Sequence, residues 1–314
     1  MPIRVLASSD VEDLIGLPEA MECMRATFED QARGGIAAWP PSLMRSDGAL
    51  LILRSGGLAD NHRMGVRVTT GPHNPSYAMV YDTPTGHLVS FMVYPFSDLR
   101  LEATVALGVD RLAAPGARRL AMIGTGRLAM GLLKAVAAVR KLDHVAVYSR
   151  REEPRAKFAD RAREAIGVPV AAVSDPERAV ADAEIIVTIT SSTTPALRGK
   201  WLAPGTLVTA CGLRDELDED VFLRASQIVT TSKVQEMNIH DKSDDWPLVR
   251  AMRSGGVDWN NVIELGDVVS GRVAPADGIR VLREAQGGFG DIALAALAYE
   301  RAAELGRGTQ LDLH

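Results

Sequence analysis

The residues whose spacing could do chemistry begin with GTGRLA at 124–129, two glycines one residue apart after the apolar run RRLAMI. In this GxGxxA form Gly124 makes a sharp turn, Gly126 keeps side chains away from a pyrophosphate, and Ala129 lets the next helix pack close to its strand. Thr125, Arg127 and Leu128 complete the turn and lead into that helix, whose N-terminal N–H groups would hold phosphates. About twenty residues on, the strand VAVYSR should end at an adenosine ribose. An Asp or Glu there would favour a free 2′-hydroxyl, whereas Ser149, Arg150 and Arg151 suit a 2′-phosphate. The residues therefore point to NADP(H), with NAD(H) still possible. Thr190, Ser191 and Ser192 end a further strand and could line the same dinucleotide, although a loop of this composition also forms without a ligand.

These residues need elements to position them. From RRLAMIG onward, short apolar runs alternate with charged helical segments: VAVYSR, VPVAAV, EIIVTIT, TLVTACG and QIVTTSK. That rhythm predicts parallel βαβ units and a Rossmann-type doubly wound sheet, an α/β fold. Ser174 reads as the N-cap of the segment DPERAVADA, with Pro176 in its first turn. The first hundred residues read instead as a helix over 18–33 and then antiparallel strands, with DTPTG as a hairpin turn. A helical stretch, SDLRLEATVALGVDRLAA, bridges to the glycine turn, which puts a domain boundary near Pro115 and Gly116. Close to the end, GGFGDIALAALAYERAAELG predicts an amphipathic helix with Asp291 in its first turn, complementing the helix dipole.

Composition excludes several function classes. The 314 residues suffice for two domains, and 46% hydrophobic with 24% charged residues is ordinary for a globular chain. A net charge of -5, without a long basic run, argues against duplex nucleic acid as partner. Cys23 and Cys211 lack CxxC spacing, and His62, His73, His87, His144, His240 and His314 lack metal-ligand spacing, so no metal is expected and a reducing, cytoplasmic setting fits. Neither an export signal nor a membrane span is read.

Seven segments in series resemble the ornithine cyclodeaminase and mu-crystallin family: VYDTPTGHL, SDLRLEATVALGVDRLA, MIGTGRLA, TITSSTTPAL, WLAPGTLVTACG, VIELGDVVSGRV and GGFGDIALAALAYERA. The resemblance implies a homodimer. It further implies a smaller α+β substrate-binding and dimerisation domain at 1–115, completed by the last helix at 287–314, around a Rossmann domain at 116–286. Family chemistry is hydride exchange between nicotinamide and the α-carbon of an amino or imino acid. Arg100 occupies the place of the Arg that meets the substrate carboxylate, and a guanidinium fork suits that role.

Departures from the pattern shape the expected function. Arg67 stands where the family usually has Lys, and an arginine can bind or polarise but not shuttle protons. Leu213 stands where cyclodeaminases have an Asp, leaving Asp215 as substitute acid or as a helix cap. Ser42 replaces a frequent Arg, with Arg45 or Arg54 as stand-ins. His73 is a further substrate contact, and His73 and Tyr77 are alternative proton donors to Asp215 or solvent. The resulting expectation is an NADP-dependent reductase or dehydrogenase of a small α-imino or α-amino acid, of the ketimine or cyclic imine type. Ornithine cyclodeaminase and a non-catalytic binder of NADPH and a carboxylate are the alternatives.

Overall fold

The computed structural model describes residues 2–71, 75–238, 244–285 and 287–312. The chain divides into two compact units. One comprises Met1–Ala103, Val234–Asp241 and Gln286–His314, the other Thr104–Lys233 and Lys242–Ala285. The division falls inside the continuous helix Ser97–Leu112, upstream of the expected boundary at Pro115.

The first unit is built on one mixed sheet. Its strands are β1 (Ile3–Leu6), β2 (Ile36–Ala38), β3 (Ser42–Ser46), β4 (Ala49–Leu58), β5 (Arg63–Gly71), β6 (Ser76–Asp82) and β7 (Leu88–Tyr94), with Thr309–Leu311 on the far edge. The order runs Thr309–Leu311, β1, β7, β6, β5, β4, β2, and β3 pairs with β4. The four central strands β4 to β7 are antiparallel, as the turn signals predict; β1 joins β7 in parallel. At the β6–β7 hairpin Asp82 accepts hydrogen bonds from the backbone and hydroxyl of Thr85, which fixes the turn.

The helix Gly288–Glu304 lies across one face of this sheet, and two facing glycines admit it. Gly56 on β4 stands opposite Gly65 on β5. A Cβ on Gly56 would sit 2.4 Å from the Cα of Phe289, and one on Gly65 would come within 3.1 Å of Ile292. The predicted amphipathic character is corrected here. Gly288 to Ala296 are all buried, so the first half of the helix is a core element rather than a half-solvated one.

The second unit carries β8 (Arg119–Ile123), β9 (His144–Tyr148), β10 (Val170–Ala172), β11 (Ile185–Thr188), β12 (Leu207–Ala210), β13 (Gln227–Thr230), β14 (Ile263–Glu264) and β15 (Arg280–Arg283). All pair in parallel, in the order β10, β9, β8, β11, β12, β15, β13, β14. The fold is thus α/β, with one Rossmann-type doubly wound sheet and a smaller α+β unit. Chain order reverses between β8 and β11, the switch point where open α/β sheets bind ligands. β11, β12 and β13 are buried on both faces, which explains why they read as unbroken apolar runs. Asp175, not Ser174, is the N-cap of the helix Pro176–Val180, and its carboxylate accepts from the N–H of Glu177. No helix among the described residues is long and apolar enough to cross a membrane.

Candidate active site

In the second unit, Gly124 follows β8 with φ +112°, a conformation only glycine adopts readily. A Cβ there would lie 2.3 Å from the carbonyl oxygen of Ile189, whereas one on Gly126 would meet nothing within 4 Å. The first glycine therefore makes the turn against the end of β11, and the second leaves open space above the backbone. The helix Ala129–Val139 begins three residues later with no side chain capping its N-terminus, and Ala129 is fully buried.

Gly124, Thr125, Gly126, Arg127, Leu128, Ser149, Arg150, Arg151, Thr190, Ser191 and Ser192 all line one cleft of about 820 Å³. Its wall after β9 is tied down locally. The Thr125 hydroxyl donates to that of Ser149 at 3.0 Å, and the buried Arg155 donates to the Ser149 carbonyl at 2.6 Å. Arg127, Arg150 and Arg151 are the charged residues along the cleft, and no carboxylate lines it among the described residues. An uncapped helix N-terminus, an open glycine and three guanidinium groups form a donor set suited to a phosphorylated dinucleotide.

In the first unit, Arg54 on β4 and Arg67 on β5 are direct cross-strand partners, so both project from the face covered by Gly288–Glu304. Arg54, Arg67 and Arg100 are 8%, 7% and 7% exposed, and Asp291 is wholly buried. Asp291 gathers its neighbours. Its carboxylate lies 3.0 Å from Arg100 Nε and 3.3 Å from Arg67 Nε, and it accepts from the Tyr94 hydroxyl at 3.1 Å. Arg67 also donates to the Ser97 hydroxyl and lies over the Tyr94 ring, 5.5 Å from its centroid. Burial, reinforced by the charge of Asp291, holds the Tyr94 hydroxyl well above the usual phenol range, so it remains a donor.

The expectation for Asp291 as a helix-dipole partner is thereby extended. It does sit in the first turn, but it is an ion-pair partner of two guanidinium groups. Of the two stand-ins for Ser42, Arg45 is exposed on β3 and Arg54 is the buried one. Tyr77 is corrected as a neighbour of Arg67. It pairs with Val68, projects from the opposite face, stacks on Phe91 and is 37% exposed. His73 lies outside the described residues.

The turn after β12 also differs from expectation. Leu213 is 45% exposed and Asp215 half-buried, in the short 3-10 turn Arg214–Glu216. The buried carboxylate there belongs to Glu216, which sequence reasoning passed over. It accepts from the Thr188 hydroxyl, the Gly212 N–H, and the N–H and hydroxyl of Thr190, at 2.7 to 2.9 Å. Burial pushes its pKa up, against these hydrogen bonds and the charge of Arg283.

Comparison with known proteins fits both units. A Delta(1)-pyrroline-2-carboxylate reductase of Bacillus cereus is 32% identical over 192 residues, spanning 59% of this chain and 57% of that relative. The iminosuccinate reductase of Paracoccus denitrificans is 27% identical across 98% of this chain and 99% of its own. The crystal structure of the Paracoccus iminosuccinate reductase in complex with NAD+ superposes with a TM-score of 0.90, at 25% identity and full coverage of both chains. The description "Ornithine cyclodeaminase/mu-crystallin family" matches residues 5–305. With the glycine turn, the parallel sheet and this near-complete match in hand, the chain belongs to the ornithine cyclodeaminase/mu-crystallin family.

Proposed function

We propose that this chain is a nicotinamide-dependent reductase of a small α-imino acid, working at the C=N bond. The reading rests above all on Arg67 and Arg100, buried around one carboxylate in a chain that also carries a dinucleotide-type cleft. The relatives support it, since pyrroline-2-carboxylate and iminosuccinate are both imines that bear a carboxylate. A reduced nicotinamide bound in the cleft would supply the hydride.

The residues divide the work. Gly124, Thr125, Gly126, Arg127 and Leu128 would hold the pyrophosphate, with Thr190, Ser191 and Ser192 along the adjacent wall. Ser149, Arg150 and Arg151 would meet a 2′-phosphate, and a cleft lined among the described residues by three arginines and no carboxylate supports NADP(H) over NAD(H). Arg100, Arg67 and Arg54 would hold and orient the substrate carboxylate, so that positioning supplies much of the rate. Arg67 stays charged, so the proton for the imine nitrogen comes from solvent or Asp215.

The remaining assignments follow the same reading. Residues 1–115 with 287–314 would form the substrate-binding and dimerisation domain, and 116–286 the nucleotide domain. The outward sheet face carrying Met64, Tyr77 and Phe91, 41%, 37% and 37% exposed, supports a second copy as partner. An exposed Leu213 in place of an acid weighs against an ornithine cyclodeaminase. Arg67 in place of Lys favours the second reading, a protein that binds NADPH and a carboxylate without turnover.

The test is loss of nicotinamide absorbance when purified protein meets NADPH or NADH and a panel of cyclic and linear α-imino acids. Turnover of an imino acid is expected. Tight NADPH binding with no turnover across the panel would leave the binding-only reading, and ammonia release from ornithine would restore the cyclodeaminase.

A further inference from the structure

We propose that Glu216 is the positioning residue of the dinucleotide-type cleft, because its side chain and its own carbonyl hold the two ends of the loop 190–196. This deepens the nicotinamide reading and rests on it. Thr190, Ser191, Ser192, Thr194, Pro195 and Ala196 line the cleft. At the start of that loop, the Glu216 carboxylate accepts from the N–H and the hydroxyl of Thr190 at 2.8 and 2.9 Å. At its end, the Glu216 carbonyl accepts from the N–H groups of Ala196 and Leu197 at 2.8 and 3.0 Å. Two further bonds, from Thr188 and Gly212, anchor the carboxylate to the ends of β11 and β12.

The chain of contacts continues to the glycine turn. Gly124 abuts the Ile189 carbonyl and the Thr190 methyl, so displacement of Thr190 shifts the residue on which the phosphate turn rests. Glu216 itself is wholly buried and does not line the cleft. It acts on a ligand only through the loop.

The geometry requires an ionised acceptor. Each carboxylate oxygen faces one backbone N–H, that of Gly212 or that of Thr190. Glutamine in this place turns an NH2 toward one of those N–H groups whichever way its amide is oriented, and a buried donor loses its acceptor. The groups facing the carboxylate are Thr188 at the end of β11, Thr190 just beyond it, Gly212 after β12, and the charge of Arg283 at the end of β15.

The experiment measures the Kd for NADPH, and separately for NADH, from the fluorescence of the reduced nicotinamide at pH 8, in wild type and Glu216→Gln. Weakening of roughly tenfold or more at pH 8 is expected for the variant. A merely structural role would lower Tm but leave both Kd values unchanged. Equal Kd values overturn the proposal while the nicotinamide reading stands. Failure of the wild type to bind either nucleotide sinks both. Should Glu216→Gln not fold, Thr188→Val removes one donor to the same carboxylate at a residue outside the cleft lining. A severalfold weakening supports the assignment, and unchanged binding overturns it.

Discussion

Arg100 Nε lies 3.0 Å from a carboxylate oxygen of Asp291, and both side chains are shut away from water. The same carboxylate holds Arg67, so one aspartate aligns two guanidinium groups from a strand and a helix far apart in sequence. Because both guanidinium groups lie against Asp291, its loss alters both the charge and the orientation of the pair.

Asp291→Asn should therefore destabilise the protein. Removing one partner of a buried ion pair costs about 3–5 kcal/mol, as the remaining charges lose their counter-ion. Denaturant unfolding checks this, and a loss below about 1 kcal/mol would mean that Asp291 does not carry the pair.

Arg100→Lys should keep the charge and lose the function. A lysine has no guanidinium to lie against Asp291 and cannot offer a planar fork to a substrate carboxylate. A fall in kcat/KM of about a hundredfold is expected, from the loss of a charge-assisted bidentate contact. Steady-state kinetics of the folded variant with an accepted imino acid will show it; near-wild-type kinetics would remove Arg100 from the substrate site.

Replacing Arg150 and Arg151 together by Ala should reduce the preference for NADPH over NADH by roughly a hundredfold, with little change for NADH. The ratio of the two dissociation constants is the measurement. A parallel loss for both nucleotides would mean that these arginines do not read a 2′-phosphate.

A pH effect on stability follows from Cys23, whose thiol is pushed up to about 12, first by burial and further by the nearby Glu300 charge. An acid with a raised folded-state value contributes stability below its unfolded value, about 8.5 for a thiol, and loses it as pH climbs toward the folded value. The denaturant midpoint should accordingly fall between pH 8 and 11, and Cys23→Ala should flatten part of that fall. The native thiol should also resist alkylation at pH 8. Rapid modification under those conditions would contradict the raised value.

Sequence alone carried much of the architecture because its signals are local. The glycine pair, the apolar strand ends and the hairpin at Asp82 are each written in a few adjacent residues, whereas the order of the strands in each sheet is not. What stayed hidden depends on distant convergence. Nothing near Asp291 in sequence announces Arg67, Tyr94 and Arg100, so a helix-dipole role was the natural local reading. Glu216 was hidden similarly, because its four donors come from residues 188, 190 and 212. Tyr77 illustrates a different error. Proximity in sequence suggested that it neighbours Arg67, but the hairpin register pairs it with Val68, on the other side of the pleat.

The two glycines at 56 and 65 carry a consequence for biogenesis. All strands of the first unit's sheet but the edge strand Thr309–Leu311 are made by residue 94, yet the helix that seals its inner face begins only at Gly288. During synthesis the ribosome must therefore make some two hundred further residues while that face, with its buried arginines, waits uncovered. A nascent chain stalled before this helix emerges would expose the incomplete half to chaperones.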